Sequence, residues 1–567
     1  MFFTPAAKAY ALRALLFFII SFILNGFLIN YGIALNNSDT VLQPLWSDGL
    51  RHFSWSAFPF QQGWGGTTLA TLRGVLVPII GFFIPGNESY LYSHFIFSYC
   101  IIPTLIAVAT YFAATAMYSP LVSTLCAAGA LAFPLSWVGM LGNDYYFFLI
   151  ITGLLILGIK LRNPNPLPDL PLKSLFASAL LIGLSLYNFR GSIIYAIVFV
   201  IPWNRQLANI KTLLRPLNLL EKSFFTIACI LLIIQLRLDL FGPELGEIIS
   251  QPIKLHSNSN FKFLIIVLLI YTFIHFKSEF TKKFQFRTIS FALGLALGFL
   301  PEIINTLTHT TALSKGFMVS NSVQTVETIA AIPHSLFELL TGEDHLSPYI
   351  GLDRNFPLIF GLLGTLALAV NSIRFEKDRI LGVTALLSLL AYSKIYMTGP
   401  AESRYLFPLF PVLLLFPGVL LSFTSRISNT KLMTTIATAF ILFNYAYQIN
   451  GKVQLTKSNL ITSRESEIKE TLKLMGDNSL NLLLTDSYWN ANILTFASQR
   501  KILATSNQGV WGPLEARKRV LSAETIALAL EFRNPDADQK IELLGEQYKL
   551  ELLGRKGKLR IYSGTRQ

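Results

Sequence analysis

Charge is what this chain has least of. Asp, Glu, Lys and Arg together make up 14% of its 567 residues, against about a quarter in an ordinary soluble domain. That scarcity argues against a water-soluble globule. Acidic groups are the scarcer sign, 32 against 46 basic ones. The three cysteines, Cys100, Cys126 and Cys229, lie in hydrophobic segments without a CxxC spacing, so neither a disulfide framework nor a thiolate metal knuckle is supported. They read as buried apolar residues. His309, His334 and His345 share one long loop but lack metal-ligand spacing. Neither G-x-G-x-x-G nor a Walker motif occurs, which leaves nucleotide binding without a sequence basis.

What the chain has instead is hydrophobic residues, 52% of the total, gathered in blocks such as 11–35, 90–117, 121–138, 145–159 and 224–236. Most approach the roughly 20 residues that a membrane-spanning helix needs. An open sheet cannot satisfy its backbone in lipid, so helices are expected. The first block follows Lys8 and Arg13, lacks a small-residue cleavage site and outruns a signal-peptide core, which predicts a retained first helix.

Short connections rich in Lys and Arg predict the cytoplasmic side. They contain Lys160, Arg162 and Lys173; Arg205, Lys211, Arg215 and Lys222; Lys277, Lys282, Lys283 and Arg287; and Arg374, Lys377 and Arg379. The connections between them, 36–89, 241–260 and 308–355, are longer, aromatic and poorer in cations. Alternating the two sets predicts a polytopic α-helical membrane protein of about thirteen spans, N-terminus inside. Within it, 75–84 reads as an interfacial or re-entrant helix. The stretches 175–187 and 193–203 read as two short spans that turn at Asn188-Phe189-Arg190-Gly191. His94 reads as a helix-contact residue, and Trp46, Trp55 and Trp64 as an interfacial belt.

Near Gln448 the composition changes. Charges become frequent and strand-like runs appear at 480–485, 501–504 and 525–532, with a hairpin through 548–562 and an amphipathic helix over 465–475. The expected organisation is therefore a transmembrane domain over 1–449 and a small α/β domain over 450–567 on the outer face. The net charge of +14 suits cytoplasmic loops and a C-terminal domain facing anionic membrane lipids, without nucleic acid.

Several polar groups fall at helix ends on the predicted outer side. Asp39 follows the first helix, with Asp48, Arg51 and His52 beyond it. Asp144 lies in the short turn Gly142-Asn143-Asp144-Tyr145-Tyr146, Arg190 in the 188–191 turn, and Arg404 in the stretch 399–405 that follows Lys394. A solitary loop carboxylate is ordinarily just solvated. Ionised groups near membrane depth are costly and tend to be functional, and arginines there suit a phosphate-bearing ligand. Lys394 also fits a snorkelling lysine.

These features together resemble the GT-C superfamily of integral-membrane glycosyltransferases, which includes protein O-mannosyltransferases, the lipid A aminoarabinose transferase and oligosaccharyltransferases. The resemblance rests on an acidic residue after the first helix (Asp39) and another in the next outer turn (Asp144). It rests also on the glycine-rich stretch from Gly294 through Gly298 to Pro301, and on Arg404-Tyr405-Leu406-Phe407-Pro408-Leu409-Phe410-Pro411, which is similar to an RYxxPxxP helix start. The chain departs from the mannosyltransferases in carrying a lone Asp39, with neither an adjacent acidic pair nor a D-x-D.

The resemblance implies transfer of a sugar from a polyprenyl-phosphate-linked donor to a lipid, glycan or protein acceptor at the outer face, with inversion at the anomeric carbon. Asp39 would act as general base, and Asp144 would position the acceptor or help hold a divalent cation, the one candidate cofactor. Arg404, assisted by Arg190 or Lys394, would neutralise the departing phosphate. Two other readings stay open: a flippase or transporter of a lipid-linked saccharide, and a non-catalytic cell-envelope assembly protein. The chain lacks an endoplasmic-reticulum retention signal, which favours the bacterial inner membrane.

Overall fold

The computed structural model describes residues 5–29, 67–132 (without 87), 144–200 (without 165–169 and 189–192), 289–300 (without 299), 330–336, 355–392, 403–457 (without 428–430), 459–530 (without 486–487 and 507–513) and 540–566 (without 544–545 and 557–558), with scattered residues elsewhere. The first helix, α1, is Pro5–Asn25, followed by a 3-10 turn at Gly26–Leu28. Then come α2 (Thr67–Phe82), α3 (Ser89–Ala114), α4 (Pro120–Ala132), α5 (Asp144–Arg162), α6 (Leu172–Asn188), α7 (Ile193–Val200) and α8 (Ile289–Gly298). The helices continue with α9 (Asn355–Arg374) and α10 (Glu376–Tyr392). After a 3-10 turn at Ser403–Leu409 come the short α11 (Phe410–Leu413), α12 (Phe416–Ile427) and α13 (Lys431–Thr456).

Among the described residues, α3, α13 and Ala9–Leu28 are long and apolar enough to cross a membrane, and the pair Leu406–Leu413 and Phe416–Arg426, bent by 47°, makes a fourth span if taken together. The expected total of about thirteen is not reached there. Several apolar helices are shorter, such as Pro120–Ala132 and Leu172–Ser185, and the segments expected over 201–286 and 301–354 lie almost wholly outside the described residues. The expected pair 175–187 and 193–203 corresponds to α6 and α7. The helix expected at 75–84 starts earlier, at Thr67, because its first turns are held by more than apolar contact. Arg73 is fully buried and donates to the His94 carbonyl (3.2 Å) and Ser98 Oγ (3.0 Å). Its guanidinium lies 4.5 Å from the centre of the Phe97 ring. The receiving segment, Phe97–Ile101, is a π-turn inside α3, a geometry that shifts backbone carbonyls out of the regular ladder.

The cationic helix ends lie together. Arg162, at the end of α5, donates to Phe112 O (2.5 Å) and Thr115 Oγ1 (2.7 Å) at the end of α3. Lys377, at the start of α10, donates to Ala116 O (2.5 Å). Arg379 donates to Ser372 O and Ile373 O at the end of α9, and Arg426 in the last turn of α12 pairs with Asp378 (3.4 Å) while stacking over Phe375. Cations there meet the open carbonyls and the negative dipole end of each helix. Lys160, expected among solvated loop charges, is instead fully buried, 5.8 Å from the Phe199 ring centre at the end of α7.

Glycine sets one helix crossing. A Cβ on Gly183 of α6 would lie 2.5 Å from Leu295 O of α8, and one on Gly294 would lie 2.7 Å from Phe176 O. A Cβ on Gly298 would collide with the Leu180 carbonyl. The glycine-rich stretch therefore allows the two backbones to touch, as small residues do between membrane helices.

Helix α13 runs through 450 to Thr456, and the α/β part follows. It comprises α14 (Asn459–Asp477), β1 (Leu482–Thr485), α15 (Tyr488–Ala497), β2 (Leu503–Ser506), α16 (Leu514–Ser522), β3 (Thr525–Leu530), β4 (Lys540–Leu543), β5 (Glu546–Lys556) and β6 (Leu559–Arg566). The sheet order is β2-β1-β3-β6-β5-β4. β2, β1 and β3 are parallel, and the rest pair antiparallel. The parallel strands are nearly continuously buried, as strands covered on both faces must be. This unit docks on the start of α3: the Phe496 ring of α15 lies 5.7 Å from Tyr90, 5.4 Å from His94 and 6.3 Å from Phe95. His94, expected as a hydrogen-bonded contact between helices, makes its described side-chain contacts with the rings of Tyr90 and of Phe496 in the α/β unit.

Gly298→Val should lower thermal resistance in detergent by the equivalent of about 1–3 kcal/mol, the usual cost of overpacking. Gly26→Ala, where a Cβ meets only the outer atoms of Phe22 at 3.9 Å, should stay near wild type. Equal unfolding curves for the two variants would refute the close crossing.

Candidate functional site

Opposite the cationic helix ends, polar and aromatic side chains converge on one irregular segment, the turn Ser403–Leu409 and the short α11 that follows it. Two prolines shape it. In a 3-10 turn the Pro408 carbonyl would look for the N–H of residue 411, but Pro411 has none to offer. Side chains close it instead. Tyr195 of α7 donates its hydroxyl to Pro408 O at 2.6 Å, and Ser388 of α10 donates at 3.1 Å. All of Tyr195, Ser388, Leu406 and Phe407 are buried.

Stacked rings bring α5 to the same turn. Tyr146 lies on Phe407 with centroids 4.1 Å apart and planes at 19°, and Phe407 stacks in turn on Phe410 at 4.8 Å. Phe147 meets Phe407 edge-on at 6.4 Å. Offset stacking of this kind contributes about 0.5–1.5 kcal/mol beyond area burial.

The stack matters because of what adjoins it. Asp144 opens α5 two residues before Tyr146, where a carboxylate favours the positive end of the helix dipole. Arg404 lies three residues before Phe407 in the 3-10 turn. The stack thus joins the first turn of α5, which Asp144 opens, to the 3-10 turn that contains Arg404; nothing is described of the side chains of Asp144 and Arg404. Arg190 and Lys394 lie outside the described residues. Ile193–Val200 begins just after the 189–192 turn, and its Tyr195 touches Pro408. Tyr392 ends α10 two residues before Lys394, and its hydroxyl pairs with Ser335 of the long 308–355 loop at 2.7 Å.

Asp39 itself, with Asp48, Arg51 and His52, lies outside the described residues. Its flanks are anchored in the main core: Leu28 and Val41 are fully buried and Leu45 nearly so. Helix α1, which precedes Leu28, is tied to α3, α4 and α13. Asn25 donates to Leu131 O (3.2 Å), Ser21 to Cys100 O (3.0 Å), and Lys452 to Asn25 Oδ1 (2.8 Å).

Sequence reasoning passed over Tyr195, Ser388, Arg73 and Lys452. Tyr195 and Ser388 carry no pattern that separates them from other polar residues in apolar helices. Lys452 carried a signal, a lone cation following Asn444 and Gln448 at four-residue spacing, but it fell at the expected domain boundary. Among the described residues no group of three or more His, Cys, Asp or Glu could hold a metal ion, so no ligand set for the candidate cation is built here.

No protein-family model matches the sequence, and no curated protein matches it. Solved structures do match. The crystal structure of the Archaeoglobus fulgidus oligosaccharyltransferase in complex with Zn and sulfate is 12% identical, with a TM-score of 0.45 over 91% of this chain and 67% of that one. The archaeal oligosaccharyltransferase AglB from Archaeoglobus fulgidus, in complex with an inhibitory peptide and a dolichol-phosphate, is 12% identical, with a TM-score of 0.46 over 92% and 69%. ArnT from Cupriavidus metallidurans in the apo state is 10% identical, with a TM-score of 0.39 over 99% and 98%.

A double-mutant cycle tests the stack that joins the two segments. Tyr146→Ala and Phe407→Ala should show a coupling energy of about 0.5–1.5 kcal/mol in thermal unfolding. Strict additivity would mean that the rings do not hold α5 and the turn together.

Proposed function

We propose that this chain is a membrane-bound glycosyltransferase that moves a sugar from a polyprenyl-phosphate-linked donor to an acceptor hydroxyl at the outer membrane face. The observation that carries the reading is the meeting of the Asp144 and Arg404 segments at the Tyr146–Phe407 stack, on a turn that α7 and α10 also reach through Tyr195 and Ser388. A carboxylate on one of these segments and an arginine on the other would supply what transfer from a lipid phosphate requires: a group that handles the acceptor and a group that neutralises the leaving phosphate.

In the proposed reaction the acceptor oxygen attacks the anomeric carbon. The bond from that carbon to the phosphate oxygen breaks, and the electron pair leaves with the polyprenyl phosphate. The acceptor proton passes to Asp39 as general base, while Asp144 orients the acceptor. Arg404 meets the phosphate dianion with a planar fork of donors, with Arg190 or Lys394 assisting. A single displacement of this kind inverts the anomeric centre. No step is routed through a metal ion.

Orientation follows from the cations. With Arg162, Lys377, Arg379 and Arg426 gathered at one end of the bundle, the positive-inside tendency puts that end in the cytoplasm. The turn and the α/β unit then face outward, which suits a bacterial inner membrane protein acting on the cell envelope.

The test uses purified full-length protein, a radiolabelled polyprenyl-phosphate sugar and a range of lipid, glycan and peptide acceptors. Labelled product and free polyprenyl phosphate are both expected. Asp39→Asn should reduce turnover by about 10²–10⁴-fold, the usual worth of a general base. Arg404→Ala should cost about 10²–10³-fold, as loss of a charge-stabilising donor does. Undiminished transfer by well-folded Asp39→Asn would remove the base from the mechanism. Movement of the lipid across vesicles without release of its phosphate would replace the enzyme with a flippase.

A further inference from the structure

At the cationic end of the bundle the last turn of α3 carries two neighbouring aromatic rings, and each holds a guanidinium. Arg13 of α1 lies 4.9 Å from the centre of the Tyr111 ring. Arg162 of α5 lies 3.7 Å from the centre of the Phe112 ring. Two arginines from different helices thus meet adjacent residues of a third. Tyr10, one turn before Arg13, meets the same Tyr111 ring edge-on at 6.1 Å and is within electrostatic reach of Arg162.

The donors of these side chains are unequally spent. Arg162 gives Nη1 to Gly158 O and Nη2 to Phe112 O and Thr115 Oγ1, which fixes it in place. Arg13 and the Tyr10 hydroxyl donate to no group among the described residues, and neither arginine pairs with a carboxylate there. A guanidinium held over a ring by its charge keeps its N–H donors for a further acceptor. The three are within reach of a ligand, since Tyr10 and Arg13 are partly exposed and Arg162 is exposed.

The flank of α1 beside them is apolar and turned outward. Leu12, Leu15, Leu16, Ile19 and Ile23 are exposed and recur at helical spacing. Phe17, one turn beyond Arg13, is instead buried and meets Tyr111 at 6.1 Å. Arg13 therefore sits where the lipid-facing stripe of α1 borders its seam with α3. A ligand seated there would set an anionic group on Arg13 and Tyr10 and hydrocarbon along the stripe.

We infer that Tyr10, Arg13 and Arg162 form a binding site for the phosphate headgroup of an anionic phospholipid, whose acyl chains follow the exposed stripe of α1. The fork of an arginine meets two oxygens of a phosphodiester at once, and tyrosine is at home at headgroup level. Two cations without a carboxylate favour a lipid of net negative charge, as basic pockets between membrane helices do. The bound lipid would tie α1 to the ends of α3 and α5. It lies at the opposite end of the bundle from the Ser403–Leu409 turn and takes no part in the proposed transfer. Its assignment to the inner leaflet rests on the orientation proposed above, but the site does not.

The test uses the purified full chain in nanodiscs of phosphatidylcholine, with phosphatidylglycerol as the probe. Bound lipid is titrated by native mass spectrometry, and the unfolding midpoint is followed by heating. Phosphatidylglycerol should bind in preference to phosphatidylcholine and raise the midpoint. Arg13→Gln should lower its affinity about five- to tenfold, the worth of one cation and its phosphate bonds. Tyr10→Phe should lower it about threefold, as loss of one neutral hydrogen bond does. Lys431→Gln, which removes an exposed cation at the start of α13, should leave it unchanged. Arg13→Lys serves if the glutamine variant folds poorly: it keeps the charge, loses the planar fork and should still bind more weakly.

Unaltered affinity in well-folded Arg13→Gln would overturn the site. An equal loss in Lys431→Gln would do the same, because it would mean diffuse attraction to a basic surface. Equal binding of the two lipids would remove the anionic headgroup, and competition by free glycerol phosphate as strong as by the lipid would replace it with a soluble phosphate. If the lipid binds as expected while a tag on the N-terminus proves to face outward, the site stands and the orientation falls.

Discussion

A backbone carbonyl or N–H left open in hydrocarbon costs several kcal/mol, and no water is at hand to close it. Each place where this chain leaves regular helix is therefore a place where a side chain must step in. The π-turn at Phe97–Ile101 is bracketed by Arg73, which takes the His94 carbonyl, and by Ser21 and Thr104, which both take Cys100 O. The proline-interrupted turn at Ser403–Leu409 exposes Pro408 O, and Tyr195 and Ser388 close it from two other helices. At the far end, Arg162 and Lys377 close carbonyls around the end of α3. The irregularities are thus the points at which separate helices are tied together.

The two ends of the bundle use this constraint differently. At one end the closing groups are cations, which serve the helix dipoles and also report orientation. At the Ser403–Leu409 turn they are neutral hydroxyls, from Tyr195 and Ser388, supported by the stacked rings of Tyr146, Phe407 and Phe410.

The α/β unit follows α13 and also packs against the start of α3 through Phe496. Its buried residues merge with the helical core: Ile468, Met475, Leu483 and Phe496 belong to the same cluster as α3 and α5. A second, smaller core around Leu528, Tyr548 and Tyr562 lies within the sheet itself. Such a unit is seated on the bundle rather than tethered to it. The seat joins it to α3, the helix that also receives Ser21 and, through it, Asn25.

How much of this was legible beforehand depends on the range of the interaction. Hydrophobic blocks revealed the apolar helices, because spanning length is a local property, and cationic connections sorted their ends. Short apolar runs located β1, β2 and β3, and the final hairpin was found to within a few residues. β4, α15 and α16 were not anticipated: β4 is four residues long, α16 is dense in charge, and the ten residues of α15 are too few to show a helical period. Asp144 and Arg404 were picked out as polar groups at helix ends, but only the Tyr146–Phe407 stack joins the segments that carry them, and no spacing in sequence encodes a contact across more than 250 residues. The buried Lys452 shows the limit most sharply. Composition alone made it the first charge of a soluble domain, and packing against Asn25 made it part of the membrane core. Sequence determined which segments must leave water, because transfer energy is additive along a chain. Tertiary structure decided which polar groups go with them, because burial of a charge depends on the partner that meets it.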